Sequence, residues 1–479
     1  MIMSDKNLVS SFAWKFLERV GTQVINLVVQ IVLARMIAPE EFGSLAVLIV
    51  FVNIANIFVQ KGLTSSIIRK QKVDELDYNT AFWASMIMAL ILYLLIFFSA
   101  PIIADKYNSI ILIKGLRIFS IQLFFGALFC IQNSILVREM RFKTVFNRGI
   151  ISSLLSGIIG IVMAYLNLGL WALVTQTIVN QFLYCATAWN SITWKPKFQF
   201  SMERLRDILG FGGKILLSEL LSYMVEGLRT LSIGKVYSTE ALSYYDRGQT
   251  YPATLMRGIY DALGSVLLPI FSQKQDDNKK LSEAILRGIS LTMFLITPIF
   301  VGMAAVAKPL IIVLLTDKWI DTVPFFIIFC LYWIPYPIQG ICRNGIYAKG
   351  NSDVVLKIEG IKTIVTLISL LIALKINVFA IAIAAVITMF IVTIIYVIAL
   401  KNIISFSYKV MFKGIIKSSI SSIIMFFIVS SLSIINVNIF IKLIIQIIVG
   451  IISYIICSIL LKDKNLSVFL NMIKSKKNK

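Results

Sequence analysis

The sequence predicts an all-α polytopic membrane protein with about 14 transmembrane helices. Of its 479 residues, 58% are hydrophobic, and the mean hydropathy of +0.87 is far above that of soluble proteins. Uncharged runs of about 20 residues, long enough to cross the hydrocarbon core of a bilayer, recur along the chain. A soluble globular fold is therefore excluded.

The apolar runs divide the chain into spans joined by short polar loops. The longest loop, around residues 192–208, is too short to form a soluble domain. The first 20 residues lack the apolar core and cleavage site of a signal peptide, so we expect the first helix to begin there. Lys362 interrupts one of the spans. The predicted spans are 10–35, 42–66, 79–104, 111–137, 147–166, 169–191, 209–235, 241–270, 284–314, 321–347, 354–375, 377–400, 412–435 and 438–461.

The net charge of +22 arises from 46 basic and 24 acidic residues, and most of the bases lie in alternate loops. Cytoplasmic loops of membrane proteins carry such an excess of lysine and arginine. We therefore predict that both chain termini, Lys197 and Lys477 are cytoplasmic, and that Lys106 and Lys318 lie outside. Topology accounts for the basic charge without a nucleic-acid partner.

Histidine is absent, which removes the commonest general base and metal ligand. We expect neither a metal nor a cofactor, and no enzyme activity. The cysteines lack the spacing of a disulfide framework or a zinc site. They are Cys130, Cys185, Cys330, Cys342 and Cys457.

The chain repeats itself in parallel. Residues 34–40 align with 234–240, 105–107 with 317–319, and 133–138 with 344–349. Each match is short, and it is their common order along the chain that indicates a duplication. The repeat predicts an N-lobe of six helices at 1–200, a C-lobe of six helices at 201–405, and two further helices with a basic tail at 406–479. Parallel repeats of this kind occur in alternating-access transporters, which predicts a site in a central cavity between the lobes.

Charged residues interrupt the apolar pattern between Glu219 and Asp261. Charges at membrane depth are costly, so they face a protein interior or a wet cavity. They either form structural ion pairs between helices or line a path for a polar substrate. The first, second and tenth helices carry further polar stripes at helical spacing, in matching parts of the repeat. The candidate substrate-binding residues are Arg19, Arg229, Arg257 and Arg343, and the candidate coupling residues are Glu18, Glu219, Glu226 and Asp261.

The chemistry of these side chains favours an anionic, sugar-bearing substrate. A guanidinium group donates two parallel charge-assisted hydrogen bonds, which suits phosphate. The carboxylates could pair with the arginines, or bind H⁺ or Na⁺ as a coupling ion.

The sequence also resembles the polysaccharide transport branch, with its Wzx- and WzxC-type flippases, of the multidrug/oligosaccharidyl-lipid/polysaccharide (MOP) exporter superfamily. The similarity covers most of the chain and thins after about residue 400. The stretches that carry it are ERVGTQ (18–23), LARMIAPEEFG (33–43), DYNTAFW (77–83), LVREMRFK (136–143), WALV (171–174), FGGKILLSELL (211–221), YYDRGQTYP (244–252), LLPIFSQKQDD (267–277) and GMAAVAKPLI (302–311).

The resemblance implies a V-shaped helical fold of two lobes in a bacterial cytoplasmic membrane. It also implies flipping of undecaprenyl-pyrophosphate-linked oligosaccharide units during the biosynthesis of O-antigen, capsule, exopolysaccharide or teichuronic-type polymers. The implied partners are the lipid-linked oligosaccharide and membrane lipids, together with a polysaccharide polymerase and a chain-length regulator.

Three other functions compete with flipping. A cation-coupled multidrug antiporter of the same superfamily would favour carboxylates over arginines in its cavity. A membrane polymerase would need a long outer loop, and an acyltransferase would need an intramembrane histidine. A scaffold without transport activity would not require charged helices at equivalent positions in the two repeats.

Overall fold

The computed structural model describes residues 5–469, and the regular elements there are all helical. Side chains are described from residue 21 onward, apart from residues 142, 261–266, 268 and 269. Three predicted site residues, Glu18, Arg19 and Asp261, therefore lie outside the described side chains. Helices satisfy every internal backbone hydrogen bond within one segment, as a lipid environment requires. The predicted fold class is confirmed.

The chain divides into two compact units, and the first comprises Met1–Ser243. A π-helical turn, Ile57–Lys61, joins its second and third helices. The helices of this first unit are α1 (Asp5–Met36), α2 (Pro39–Asn56), α3 (Gly62–Arg69), α4 (Glu75–Lys106), α5 (Ile111–Phe119), α6 (Gln122–Arg138), α7 (Phe142–Tyr165), α8 (Leu170–Ser191) and α9 (Met202–Val236).

The second unit comprises Tyr244–Lys479, and its first helix begins a few residues before the division. Short 3₁₀ turns lie at Asp317–Trp319 and Leu432–Ile434. The helices are α10 (Thr239–Ser272), α11 (Asn278–Ala305), α12 (Ala307–Leu315), α13 (Thr322–Trp333), α14 (Tyr336–Ala348), α15 (Ser352–Ala373), α16 (Val378–Ile403), α17 (Tyr408–Ser431) and α18 (Ile439–Leu460).

Each predicted span falls on one helix or on two consecutive helices. By length and composition, ten segments within the described residues qualify as membrane spans. Helix α15 is not among them, because its first half carries Asp353, Lys357, Glu359 and Lys362.

The helix ends agree with the internal repeat. Helix α1 ends at Met36 and α9 ends at Val236, and α2 begins at Pro39 and α10 at Thr239. Both pairs are separated by the 200 residues that the sequence alignment predicts. The repeated sequences therefore encode helices that begin and end at equivalent positions.

The lobes inferred from the repeat stay a prediction, and the compact units divide the chain elsewhere. Helix α9 packs against α2, α3 and α4 and so belongs to the first unit. The helices approach closely at Gly62 and Gly212, where a Cβ atom at Gly212 would collide with the carbonyl oxygen of Gly62. Small residues permit such close packing between membrane helices. The Ser66 hydroxyl, which donates to the Ile208 carbonyl at 2.7 Å, strengthens the same crossing.

The two helices that lie outside the repeat, α17 and α18, pack within the second unit. Helix α17 lies along α11 and contacts α18. The Tyr454 hydroxyl of α18 donates to the carbonyl oxygen of Phe294 on α11 at 2.7 Å. The Ser418 hydroxyl of α17 donates to the Asp463 carboxylate at 2.7 Å, just beyond α18. These contacts fix α17 and α18 to α11.

Candidate functional site

Helix α9 has two exposed faces of opposite character. Leu217, Leu221, Met224 and Leu228 form an apolar face, and each of these side chains is at least 40% exposed. Glu226 follows Leu217 by nine residues, about two and a half turns, and therefore lies on the opposite side of the helix. An apolar face suits lipid, whereas charges at this depth need water or protein around them.

The polar face of α9 carries the charged residues that the sequence singles out. Glu219 and Glu226 are exposed, and no ion pair joins Glu226 to Arg229 within the described residues. Arg229 is half-buried and interacts with another group. An ion pair between Glu226 and Arg229, the structural interpretation of this motif, is therefore not formed. The two carboxylates are accessible.

Helix α2 borders this polar face. The Asn53 side-chain amide donates to the Tyr223 hydroxyl of α9 at 3.1 Å, and the Gln60 amide donates to Asn56 at 3.0 Å. Gln60 lies in the π-helical turn, and the Ser85 hydroxyl donates to the Val59 carbonyl of the same turn at 2.8 Å. Single π-helical turns inside α-helices are frequent at functional sites. The predicted polar stripe of the second span is thus adjacent to α9.

In the second unit, the half-buried Arg343 lies near three tyrosines. Its guanidinium group interacts with the Tyr260 hydroxyl, and Tyr336 and Tyr396 are close enough to interact with it electrostatically. The Tyr260 and Tyr336 rings meet edge to face, with centroids 5.1 Å apart. Tyr260 lies directly against Gly340, where a Cβ atom would collide with its ring. A cation among phenolic hydroxyls is rich in donors and suits an anionic or hydroxyl-bearing ligand.

The Arg343 cluster also contains a carboxylate that sequence reasoning missed. Glu359 accepts a hydrogen bond from the Tyr396 hydroxyl at 2.8 Å and forms an ion pair with Lys362 at 3.2 Å. Its side chain is 36% exposed. The sequence does contain a signal for this carboxylate. Glu359 and Lys362 are three residues apart within the predicted span 354–375, a spacing that allows an ion pair on one helix face.

Arg257 lies on α10 and is exposed. The structure thus places Arg343 near aromatic side chains and leaves Arg257 accessible, and it leaves Asp261 outside the described side chains. The two arginines therefore differ in their surroundings. Arg343 is half-buried beside tyrosines, whereas Arg257 is exposed.

An apolar groove is formed by α11, α12, α17 and α18 in the second unit. It has a volume of about 600 Å³, and almost all of its lining is hydrocarbon. Pro298, Met303, Met425 and Ile451 are among the residues that line it, and Gln446 is one of its few polar neighbours. A groove of this composition suits an apolar chain.

Comparison with known proteins connects these features to a family. The family described as "Polysaccharide biosynthesis protein" matches residues 32–324. The chain belongs to this family. The match covers α2 to α12 and includes α9 and α10, so the charged helices lie within the region that defines the family. The predicted membership in the polysaccharide transport branch is confirmed.

Relatives of the chain are named for polysaccharide biosynthesis. The succinoglycan biosynthesis transport protein ExoT of Rhizobium meliloti (strain 1021) is 26% identical over 66% of this chain, and the match spans 64% of that relative. The teichuronic acid biosynthesis protein TuaB of Bacillus subtilis (strain 168) is 22% identical over 73% of this chain and 72% of its own length. The lipopolysaccharide biosynthesis protein WzxC of Escherichia coli (strain K12) is 21% identical over 76% of this chain and 74% of its own.

Solved structures share the fold of the family member described here. The lipid II flippase MurJ, in an inward closed conformation, matches 93% of this chain and 98% of its own with a TM-score of 0.75 and 19% identity. An inward-facing multidrug resistance MATE transporter of the MOP superfamily matches 81% of this chain and 98% of its own with a TM-score of 0.61 and 17% identity. These TM-scores show that the chain shares the fold of both transporters.

Proposed function

We propose that this family member is a flippase that moves oligosaccharide units linked to undecaprenyl pyrophosphate across the bacterial cytoplasmic membrane, for assembly into a surface polysaccharide. The observation that carries the proposal is the match of residues 32–324 to a polysaccharide biosynthesis family in a chain with the fold of MOP transporters. The relatives named for succinoglycan, teichuronic acid and lipopolysaccharide support a polysaccharide precursor as the substrate.

The chemistry of the described residues supports the same substrate class. The Arg343 cluster offers a guanidinium and several phenolic hydroxyls to phosphate and sugar groups. The groove between α11 and α18 offers an apolar surface for a hydrocarbon chain. A lipid-linked oligosaccharide contains phosphate groups, sugars and a hydrocarbon chain, which match these two surfaces.

Coupling to a cation gradient is a second part of the proposal. Glu219 and Glu226 are exposed and can accept a proton or bind Na⁺ without first breaking an ion pair. Glu18 and Asp261 stay candidates from the sequence. Glu359 is a weaker candidate, because it already accepts a hydrogen bond from Tyr396 and forms an ion pair with Lys362.

The test is a flipping assay with the purified full chain in vesicles that contain a fluorescent lipid-linked oligosaccharide. Flipping should raise the fraction of substrate that an impermeant oxidant of sugar diols can reach, above that of protein-free vesicles. Heat-denatured protein is the control. Equal accessibility with native and denatured protein would contradict the proposal.

The same vesicles distinguish flipping from drug antiport. A multidrug antiporter would accumulate cationic dyes against an imposed H⁺ or Na⁺ gradient. Dye transport without any gain in oligosaccharide accessibility would assign the chain to the antiporter alternative. The abundance of arginine among the candidate site residues favours flipping.

A further inference from the structure

A buried arginine in the first unit lacks the partners that its charge requires. Arg148 of α7 is only 3% exposed, and all three of its guanidinium nitrogens are buried without a hydrogen-bond partner. No carboxylate in the described part of the chain forms an ion pair with it. Removing an ion from water costs several kcal/mol even after the protein relaxes. Within the described residues, this charge therefore has no compensating group.

Aromatic rings offset only part of the cost. The central carbon of the Arg148 guanidinium lies 4.8 Å from the ring centre of Tyr184 and 5.2 Å from that of Phe129. Cation–π contacts contribute about 0.5–2 kcal/mol. The Tyr184 hydroxyl also lies near the guanidinium group, but it is neutral and does not balance the charge. The rings therefore hold the cation in place without neutralising it.

Two buried polar groups without a partner lie on the helices that carry Arg148 and Phe129, and both can act as donors. Ser152 lies one turn along α7, on the same face as Arg148, and its buried hydroxyl has no hydrogen-bond partner. Gln132 follows Phe129 by three residues on α6, and its side-chain amide is also fully buried without a partner. A guanidinium, a hydroxyl and an amide N–H can all donate to one negatively charged acceptor.

The buried polar face continues along the same helices. Ser156 lies one further turn along α7 and accepts a hydrogen bond from the Asn180 amide of α8 at 3.1 Å. This next layer is satisfied within the protein, whereas the layer at Arg148 and Ser152 is not. The unmet requirement is therefore local to Arg148.

We propose that a small monovalent anion of chloride size binds at Arg148 inside the first unit, with the Ser152 hydroxyl and the Gln132 amide as additional donors. Water would satisfy the N–H groups but would leave the charge uncompensated. A phosphate ester would bring more negative charge than one guanidinium neutralises, and the buried position excludes large groups. This site is independent of the proposed transport function.

Thermal unfolding of the purified full chain in lipid nanodiscs tests the proposal. Chloride replaces gluconate stepwise at constant ionic strength and pH. The unfolding temperature of the wild type should rise with chloride and then approach saturation, because a ligand that binds only the folded state stabilises it. No rise in the wild type would overturn the proposal.

The variant Arg148→Met should abolish the chloride dependence. In gluconate it should be at least as stable as the wild type, because methionine replaces an uncompensated buried charge. Arg117→Met is the matched control, since Arg117 also contacts a ring, that of Phe97 at 4.2 Å, but donates to the Phe97 carbonyl at 3.2 Å and is half-buried. Arg117→Met should keep the dependence. Equal chloride dependence in Arg148→Met and wild type would exclude Arg148 as the site.

Two further measurements do not rely on the folding of Arg148→Met. Ser152→Ala removes one donor. It should raise the chloride concentration at half-maximal stabilisation about twofold to tenfold, the effect of one hydrogen bond. Crystals of the wild type soaked in bromide should show an anomalous peak beside the guanidinium. An unchanged half-maximal chloride concentration in Ser152→Ala, or a bromide-soaked crystal without this peak, would contradict the proposed site.

Discussion

At the scale of single residues, the predicted arginines differ in their surroundings more than in their chemistry. Arg343 is half-buried and interacts with Tyr260, with Tyr336 and Tyr396 nearby, whereas Arg257 is exposed on α10. Arg229 is half-buried on the polar side of α9 and has an interaction partner. Pattern alone assigned all three to one role, and their burial now separates the exposed Arg257 from two half-buried arginines.

If Arg229 and Arg257 bind the pyrophosphate of the substrate, both charge and geometry should matter. Arg229→Ala and Arg257→Ala should abolish flipping in the vesicle assay. The lysine variants should retain part of it, because lysine keeps the charge but loses the bidentate fork. Flipping is normalised to folded protein in the vesicles. Wild-type flipping by both alanine variants would rule out a role in binding the substrate.

The accessible carboxylates should carry any coupling to a gradient. Glu226→Gln should abolish the stimulation of flipping by an imposed proton or sodium gradient while leaving slow gradient-independent flipping. Glu203→Gln is the control, since Glu203 lies in the first turn of the same helix. Asp261→Asn tests Asp261, another of the candidate coupling residues, in the same way. Unchanged stimulation in both Glu226→Gln and Asp261→Asn would remove these residues as coupling groups.

At the scale of one element, α9 combines a tight crossing with an accessible polar face. Its first half packs through Gly212 against Gly62, and its second half exposes Glu219 and Glu226. The glycine contact is specific, because the adjacent Gly213 has no atom within 4 Å of a built Cβ. Packing at one end of the helix thus positions the charges at the other.

The two glycines provide a matched test of this arrangement. Gly212→Ala should destabilise the protein by about 1–3 kcal/mol, because the new methyl group meets the backbone of α3. Gly213→Ala should be neutral or slightly stabilising, since alanine is the better helix former. Thermal unfolding in nanodiscs measures both. Equal unfolding temperatures for the two variants would contradict the crossing.

At the scale of the whole molecule, the repeat and the loop charges predict how the chain lies in the membrane. The helix ends of the two repeats agree, as α1 and α9 end 200 residues apart. The sequence predicts an even number of spans, and together with the basic loops this predicts that both termini are cytoplasmic. The orientation itself stays a prediction.

Single cysteines test the orientation in a background in which the native cysteines are replaced. All five native cysteines are buried and free, which favours their replacement by small residues. In intact cells, an impermeant maleimide should label Lys106→Cys and Lys318→Cys. It should label Lys197→Cys and Lys477→Cys only after the membrane is permeabilised. Labelling of Lys197→Cys in intact cells would reverse the orientation and change the helix count.

The sequence by itself determined the helices, their approximate ends, the repeat and the family. It could do so because bilayer thickness fixes the length of a span, and because lipid leaves the backbone few alternatives to helix. It also located the polar stripes, since helical spacing places residues three or four apart on one face. The Asn53–Tyr223 contact shows that such stripes do meet.

Only the tertiary structure decided which charged groups have partners. Glu359 and Tyr396 are 37 residues apart, and Phe129, Arg148 and Tyr184 come from three different helices. The pairing of Glu226 with Arg229 was plausible from spacing but is not formed. Spacing fixes the neighbours on one helix, whereas the rotation and approach of neighbouring helices fix every contact between them. Those depend on side-chain packing summed over both surfaces, which no short stretch of sequence contains.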